Sequence, residues 1–318
     1  MSSMQAVVFD NKDNLKLFGI LHLPEPERRL PYTIVLLSPG VKMRVAPHRM
    51  YNKMAERYVE MGFSVFRFDF YGLGDAEGEI ELKQLSNVYN TIQLGRYVDD
   101  TVSALDWLQN ETGDTQFIVG GLCGGAITGM LAAENDPRIV ALLALGIPVA
   151  LDVGEAGWHK YLTRGQLGQL RTGYFKNMLK PASWVRLLTF QSDYRVIWKS
   201  LKQVFVKAGQ KNKKVDKQAQ IPESEQQEPD NTNPRFAPAF FKMLENSRPM
   251  IHVFSGNDRL AWEFEEKFVE PNEAKLKQHE SLFEVHNIEH ANHILSHPEW
   301  FGTMLDLTSK WLDRHFSR

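Results

Sequence analysis

Apolar residues along this chain fall into two alternating rhythms. Near the start, the segments Ala6 to Phe9 and Leu15 to His22 have the short alternating pattern of an antiparallel strand pair. Beyond them come largely apolar runs at Thr33–Leu37, Ser64–Phe70, Gln116–Leu122, Ile139–Val149, Pro249–Gly256 and Leu282–Ile288, each predicted as a strand. The segments between carry apolar residues every three or four positions. They predict helices over Arg49–Met61, ending at Gly62, over Tyr97–Gln109 with Val98, Val102, Leu105 and Leu108 on one face, over Gly124–Glu134, and over Glu299–His315. Apolar strands alternating with helices predict an α/β protein whose sheet is mostly parallel and covered on both faces.

One interval breaks the rhythm. From Trp158 to Phe205 the chain reads as helical and aromatic-rich, and from Lys207 to Arg235 it is polar, Lys-rich and then Gln/Glu-rich. A stretch with so few large apolar residues cannot bury a core, so a flexible loop is expected there. Helical spacing returns at Phe236–Leu244. The expected organisation is a core of residues 1–149 and 249–318 interrupted by an insertion over residues 150–248.

Bulk properties narrow the function. The 318 residues are 43% hydrophobic and 24% charged, with a net charge of −2. That balance gives no electrostatic footprint for nucleic acid or a membrane surface, and the basic run Lys211-Asn212-Lys213-Lys214 lies beside an acidic stretch that reads as solvated linker. The longest apolar run, Ile139 to Leu151, contains Gly146 and Pro148 and is too short to span a bilayer. No basic segment followed by an apolar one marks a leader at Met1, so a cytoplasmic protein without membrane insertion is expected. A single cysteine excludes an intrachain disulfide and a cysteine-based zinc site.

That cysteine is the most informative residue. Gly121-Leu122-Cys123-Gly124-Gly125 follows the run Gln116-Phe117-Ile118-Val119-Gly120 and reads as a nucleophile elbow, with Cys123 as nucleophile and Gly121 and Gly125 as the elbow glycines that let strand and helix approach closely. The alternative is a buried structural cysteine. Candidate partners follow in the order acid, then histidine. Asp258 ends the Met250–Phe254 strand in Ser255-Gly256-Asn257-Asp258, and the Leu282–Ile288 strand ends in Glu289-His290-Ala291-Asn292-His293. Both lie beyond strand C-termini, where open α/β sheets place their sites. In this chemistry the histidine takes the thiol proton, and the carboxylate fixes the imidazole tautomer. His293 is favoured over His290 because Ala-Asn-His leads into apolar Ile294-Leu295; His286 and His297 read as ordinary strand and surface residues. Backbone N–H groups of Gly124 and of Val41, in Ser38-Pro39-Gly40-Val41, are the expected oxyanion donors. The Gly-rich stretch from Arg67 to Asp75 lacks a phosphate-loop spacing and reads as a tight loop beside the site.

These motifs resemble the α/β-hydrolase superfamily over nearly the whole chain. The stretches Arg44-Val45-Ala46-Pro47-His48-Arg49, Phe66-Arg67-Phe68-Asp69, Gly72-Leu73-Gly74-Asp75-Ala76-Glu77-Gly78, Gly121-Leu122-Cys123 and Ser192-Asp193-Tyr194-Arg195 resemble exosortase-associated hydrolases. A cysteine elbow is similar to that of dienelactone hydrolases and to the Gly-x-Cys-x-Gly-Gly box of polyhydroxyalkanoate synthases. The resemblance implies an α/β-hydrolase fold with a helical cap in the insertion. In that cap Trp158, Tyr161, Tyr174, Phe175, Trp184 and their aromatic neighbours would supply an acyl pocket. The function it implies is hydrolysis of a small-molecule carboxylic ester or thioester through an acyl-cysteine, needing neither cofactor nor metal. An acyltransferase using acyl-coenzyme A and a non-catalytic binding protein of the same fold are the alternatives. The sequence sets no oligomeric state.

Overall fold

The computed structural model describes residues 2–80, 85–153, 163 and 230–317. Among these, eight strands form one sheet: β1 (Ser3–Asp10), β2 (Lys16–Leu23), β3 (Thr33–Leu37), β4 (Ser64–Phe68), β5 (Phe117–Leu122), β6 (Ile139–Leu145), β7 (Met250–Ser255) and β8 (Phe283–Ile288). Their order is β1-β2-β4-β3-β5-β6-β7-β8. β1 and β2 pair antiparallel, as do β2 and β4, and every later pairing is parallel. The eight described α-helices are α1 (Met50–Glu60), α2 (Leu85–Gln93), α3 (Val98–Thr112), α4 (Gly124–Ala132), α5 (Phe236–Glu245), α6 (Arg259–Phe264), α7 (Glu270–Leu276) and α8 (Pro298–Phe316). None is long and apolar enough to cross a membrane.

The central strands β3, β4, β5 and β7 are buried at every position, as expected of strands covered on both faces. Successive side chains feed two cores. Val35, Phe66, Phe68, Val119 and Leu142 join Leu105 of α3, Ile127 of α4 and Phe240 of α5 on one face. Ile34, Val65, Ile118, Leu143 and Ile251 join Met54 and Tyr58 of α1 with Trp311 and Leu312 of α8 on the other. Each fully buried large side chain contributes about 1.5–3 kcal/mol. The chain divides into two compact units, Met1–Asp152 with Thr232–Arg318, and Val153–Asn231. Within the first unit, Ala150 bridges antiparallel to Thr232, and the Asn90 side chain both donates to the Asp152 carbonyl and accepts from the Asp152 N–H, each at 2.7 Å. The two stretches of the first unit therefore meet just beyond the end of β6.

Several boundaries differ from the sequence reading. β6 stops at Leu145 because Gly146 turns with φ +53° and Pro148 has no N–H to continue the ladder. β4 stops at Phe68, where Asp69 donates its N–H to Phe18 and leads into the Gly-rich loop. α1 begins at Met50 because Arg49 is left-handed. Helices α2, α6 and α7 were not foreseen. Apart from Thr163, the expected helical cap over 158–205, its aromatic pocket, the Ser192–Arg195 motif and the polar loop up to residue 229 lie outside the described residues.

Candidate active site

The turn after β5 is built around Cys123. Its backbone sits at φ 53°, ψ −112°, a region non-glycine residues rarely occupy, between the end of β5 and the first turn of α4. The conformation is held from both sides. Cys123 donates its N–H to Leu145 of β6 at 2.8 Å, and its carbonyl accepts from Ala126 at 3.0 Å. The flanking glycines are steric requirements: a Cβ on Gly125 would run into the Leu37 carbonyl, and one on Gly121 would stand 2.7 Å from the same oxygen. The thiol is half-buried.

Beyond the ends of β7 and β8, the structure brings Asp258 and His293 together. His293 Nδ1 donates to Asp258 Oδ2 at 2.5 Å. Asp258 also caps α6, accepting the Leu260 N–H at 3.4 Å, so its carboxylate is fixed by the helix it begins. Desolvation pulls the His293 pKa down, but hydrogen bonds to Asp258 and Cys123 and the charges of both push it up to about 10. The imidazolium is thus the favoured form beside the sulfur and the carboxylate. His290 is exposed, at φ +61°, and contributes only its carbonyl, which accepts from Asn257 Nδ2 at 2.8 Å. His286 pairs with Glu284 on β8, and His297 caps α8.

The turn after β3 passes directly over the elbow. Ser38 is buried and donates its hydroxyl to the Phe68 carbonyl at 2.7 Å, and the Lys42 N–H closes the turn on the Pro39 carbonyl at 3.0 Å. A Cβ on Gly124 would lie 2.7 Å from Gly40 Cα and 2.8 Å from Gly40 N. Gly40 therefore packs its backbone on Gly124, and the side chain of the next residue, Val41, packs half-buried on the core. The Gly-rich loop after β4 fastens this turn from behind. The wholly buried Asp69 carboxylate accepts the Arg44 N–H at 2.5 Å and the Asp75 N–H at 3.1 Å, and pairs with the Arg44 guanidinium.

Cys123, Gly124, Asp258 and His293 open onto one cavity of about 270 Å³, whose wall also includes Tyr89 and Arg259. Arg259 is held by the buried Glu263 at 2.8 Å. Sequence reasoning missed Tyr89, Ile92 and Gln93 because α2 went unread. Leu85, Val88 and Ile92 at helical spacing were the available signal. No group of side chains that could hold a metal ion occurs among the described residues.

No protein-family model matches this chain, and no curated protein matches it in sequence. Solved structures do. An esterase of Pyrococcus furiosus superposes with a TM-score of 0.58 at 15% identity, covering 98% of this chain and 91% of its own. A dienelactone hydrolase of Anabaena variabilis gives 0.55 at 15%, covering 100% and 99%. The esterase domain of a Rhodothermus marinus protein gives 0.54 at 14%, covering 99% and 100%. The mostly parallel eight-stranded sheet, its flanking helices and these superpositions together identify the fold as that of the α/β-hydrolases.

Proposed function

We propose that this protein hydrolyses carboxylic esters or thioesters through an acyl-cysteine on Cys123. The observation that carries the reading is the 2.5 Å bond between His293 and Asp258 in the same cavity as a half-buried cysteine at a strained strand-to-helix turn. The similar folds of enzymes described as esterases and a dienelactone hydrolase agree with it.

In the first half-reaction the Cys123 sulfur attacks the substrate carbonyl, and the carbonyl π electrons move to oxygen. The N–H of Gly124 and an N–H of the Gly40–Val41 turn stabilise the resulting oxyanion. Collapse breaks the bond to the leaving alcohol or thiol, which takes a proton from the imidazolium of His293. Neutral His293 then removes a proton from water, the hydroxyl adds to the thioester, and the second collapse expels the thiolate and releases the carboxylic acid. Asp258 holds the Nδ1–H throughout and stabilises each imidazolium.

The test is intact-mass spectrometry of the protein mixed with a p-nitrophenyl acyl ester, with p-nitrophenol release followed in the same sample. A burst of release, an acyl adduct mapped to Cys123, and continued turnover are expected. Undiminished turnover by Cys123→Ala would overturn the assignment of the nucleophile.

A further inference from the structure

Tyr51 is wholly buried in the first turn of α1, and its hydroxyl does two things at once. It donates to the Leu37 carbonyl at 2.8 Å and accepts the Leu122 N–H at 2.7 Å. Leu37 is the last residue of β3 before the turn over the elbow, and Leu122 is the last residue of β5 before Cys123. The β3–β5 ladder ends at the Leu37–Gly121 pair, because beyond it Ser38-Pro39-Gly40 swings away to form that turn. The divergence strands one carbonyl and one N–H in the buried interior, where an unpaired polar group is costly. A single phenol oxygen satisfies both and spans the fork between the two strands.

The surroundings are shaped for it. A Cβ on Gly121 would stand 2.9 Å from the Tyr51 hydroxyl, so the glycine of the elbow also makes room for the phenol. The Leu37 carbonyl that Tyr51 holds is the same oxygen that wedges against Gly121 and Gly125. Tyr51 is anchored in turn by its own N–H, which donates to Val45 at 3.3 Å in the loop that Arg44 ties to Asp69. Burial pushes the phenol pKa up, so the donor to Leu37 keeps its proton at ordinary pH.

We infer that Tyr51 is a positioning residue for acyl transfer: by bridging Leu37 and Leu122 it sets the gap between the Gly40–Val41 turn, which supplies an oxyanion donor, and the Cys123 elbow. The inference rests on the acyl-cysteine reading above. It separates two properties of the site. Stabilising an oxyanion needs both sides of the fork in register. Alkylating the sulfur needs only the elbow and His293.

The experiment compares Tyr51→Phe with Tyr58→Phe. Tyr58 lies two turns further on the same helix face, is equally buried, and bonds Thr308 of α8 at 2.8 Å, away from the elbow. Each variant is assayed for the p-nitrophenol burst, for KM, and for alkylation of Cys123 by iodoacetamide, a reaction that forms no oxyanion. For Tyr51→Phe the burst rate is expected to fall by about 10- to 100-fold, less than the loss of a whole oxyanion donor. KM and alkylation are expected to stay within about twofold of wild type, against that same donor-loss scale. Tyr58→Phe is expected to lose thermal stability and keep both reactions. If Tyr51→Phe acylates at the wild-type rate, or loses acylation and alkylation in parallel, the inference is overturned while the acyl-cysteine reading stands. If the wild-type protein itself forms no adduct on Cys123, both fall. Should Tyr51→Phe not fold, 4-aminophenylalanine placed at position 51 keeps the shape and the donor to Leu37 but weakens the acceptor for Leu122. A burst slowed at unchanged alkylation then supports the inference, and an unchanged burst overturns it.

Discussion

At the residue scale the site depends on one short bond. Asp258 accepts from Nδ1 of His293, which leaves Nε2 as the ring nitrogen free for the proton transfers of the proposed reaction. Asp258→Asn keeps the shape but offers an amide that stabilises the wrong tautomer. Its burst rate is expected to fall on the order of 10³–10⁴-fold with KM little changed, measured by stopped-flow release of p-nitrophenol. The same bond links folding to pH. The His293 pKa lies near 10 in the folded chain, above the ordinary 6.5. The folded state therefore binds this proton more tightly than the unfolded state. The stabilisation is complete below about pH 6.5 and is lost as pH rises through about 10. Urea denaturation between pH 6 and 10 should show wild type losing more stability than His293→Gln. Parallel profiles would contradict the charged pairing.

At the scale of elements, the elbow works because strand, turn and helix are packed to contact. The Cβ of Gly125→Ala would meet the Leu37 carbonyl, a backbone atom that β3 cannot move without breaking its ladder with β5. The variant is expected to lose about 1–3 kcal/mol of stability, the usual cost of overpacking, and most of its acylation rate; thermal melts and the burst assay check both. The glycines and the cysteine are adjacent in sequence, so this element was legible as a motif. The helix α2 was not. Its helical spacing of Leu85, Val88 and Ile92 marks the element, but it brings Tyr89 and Ile92 to the cavity through packing on α4, which no local pattern reveals.

At the scale of the molecule, the core holds an ionisable group that the proposed chemistry does not use and that lacks the partners other buried charges have. His252 of β7 is fully buried, stacked on Phe240 and Phe264 with ring centroids 5.4 Å from each, and neither ring nitrogen has a hydrogen-bond partner among the described residues. Burial alone lowers its pKa from 6.5 to about 3. The unfolded chain thus binds a proton that the folded chain refuses. Its contribution to stability is present above pH 6.5 and is lost as pH falls toward 3. His252→Phe, which keeps a flat ring in an aromatic cluster, is expected to flatten the acid side of the stability profile. Denaturation midpoints at pH 4 and pH 7 measure the difference, and an unchanged slope would show that His252 is not the group responsible.

What the sequence determined by itself was local and periodic. Period-two and period-3.6 patterns announced the strands and most helices, because burial of one face is written into residue spacing. Glycines around Cys123, and an acid and a histidine each placed just past a strand, announced the candidate chemistry in chain order. Tertiary structure alone decided what depends on distance across the sheet. It brought His293, of two histidines three residues apart, to Asp258. It laid the backbone of Gly40 against Gly124, since the path of a turn depends on what it passes over. It also placed Tyr51 in the fork between β3 and β5, where residues 14 apart on one side and 71 apart on the other meet at a single oxygen. Sequence spacing carries no record of such meetings, because they follow from how the strands are ordered in the sheet.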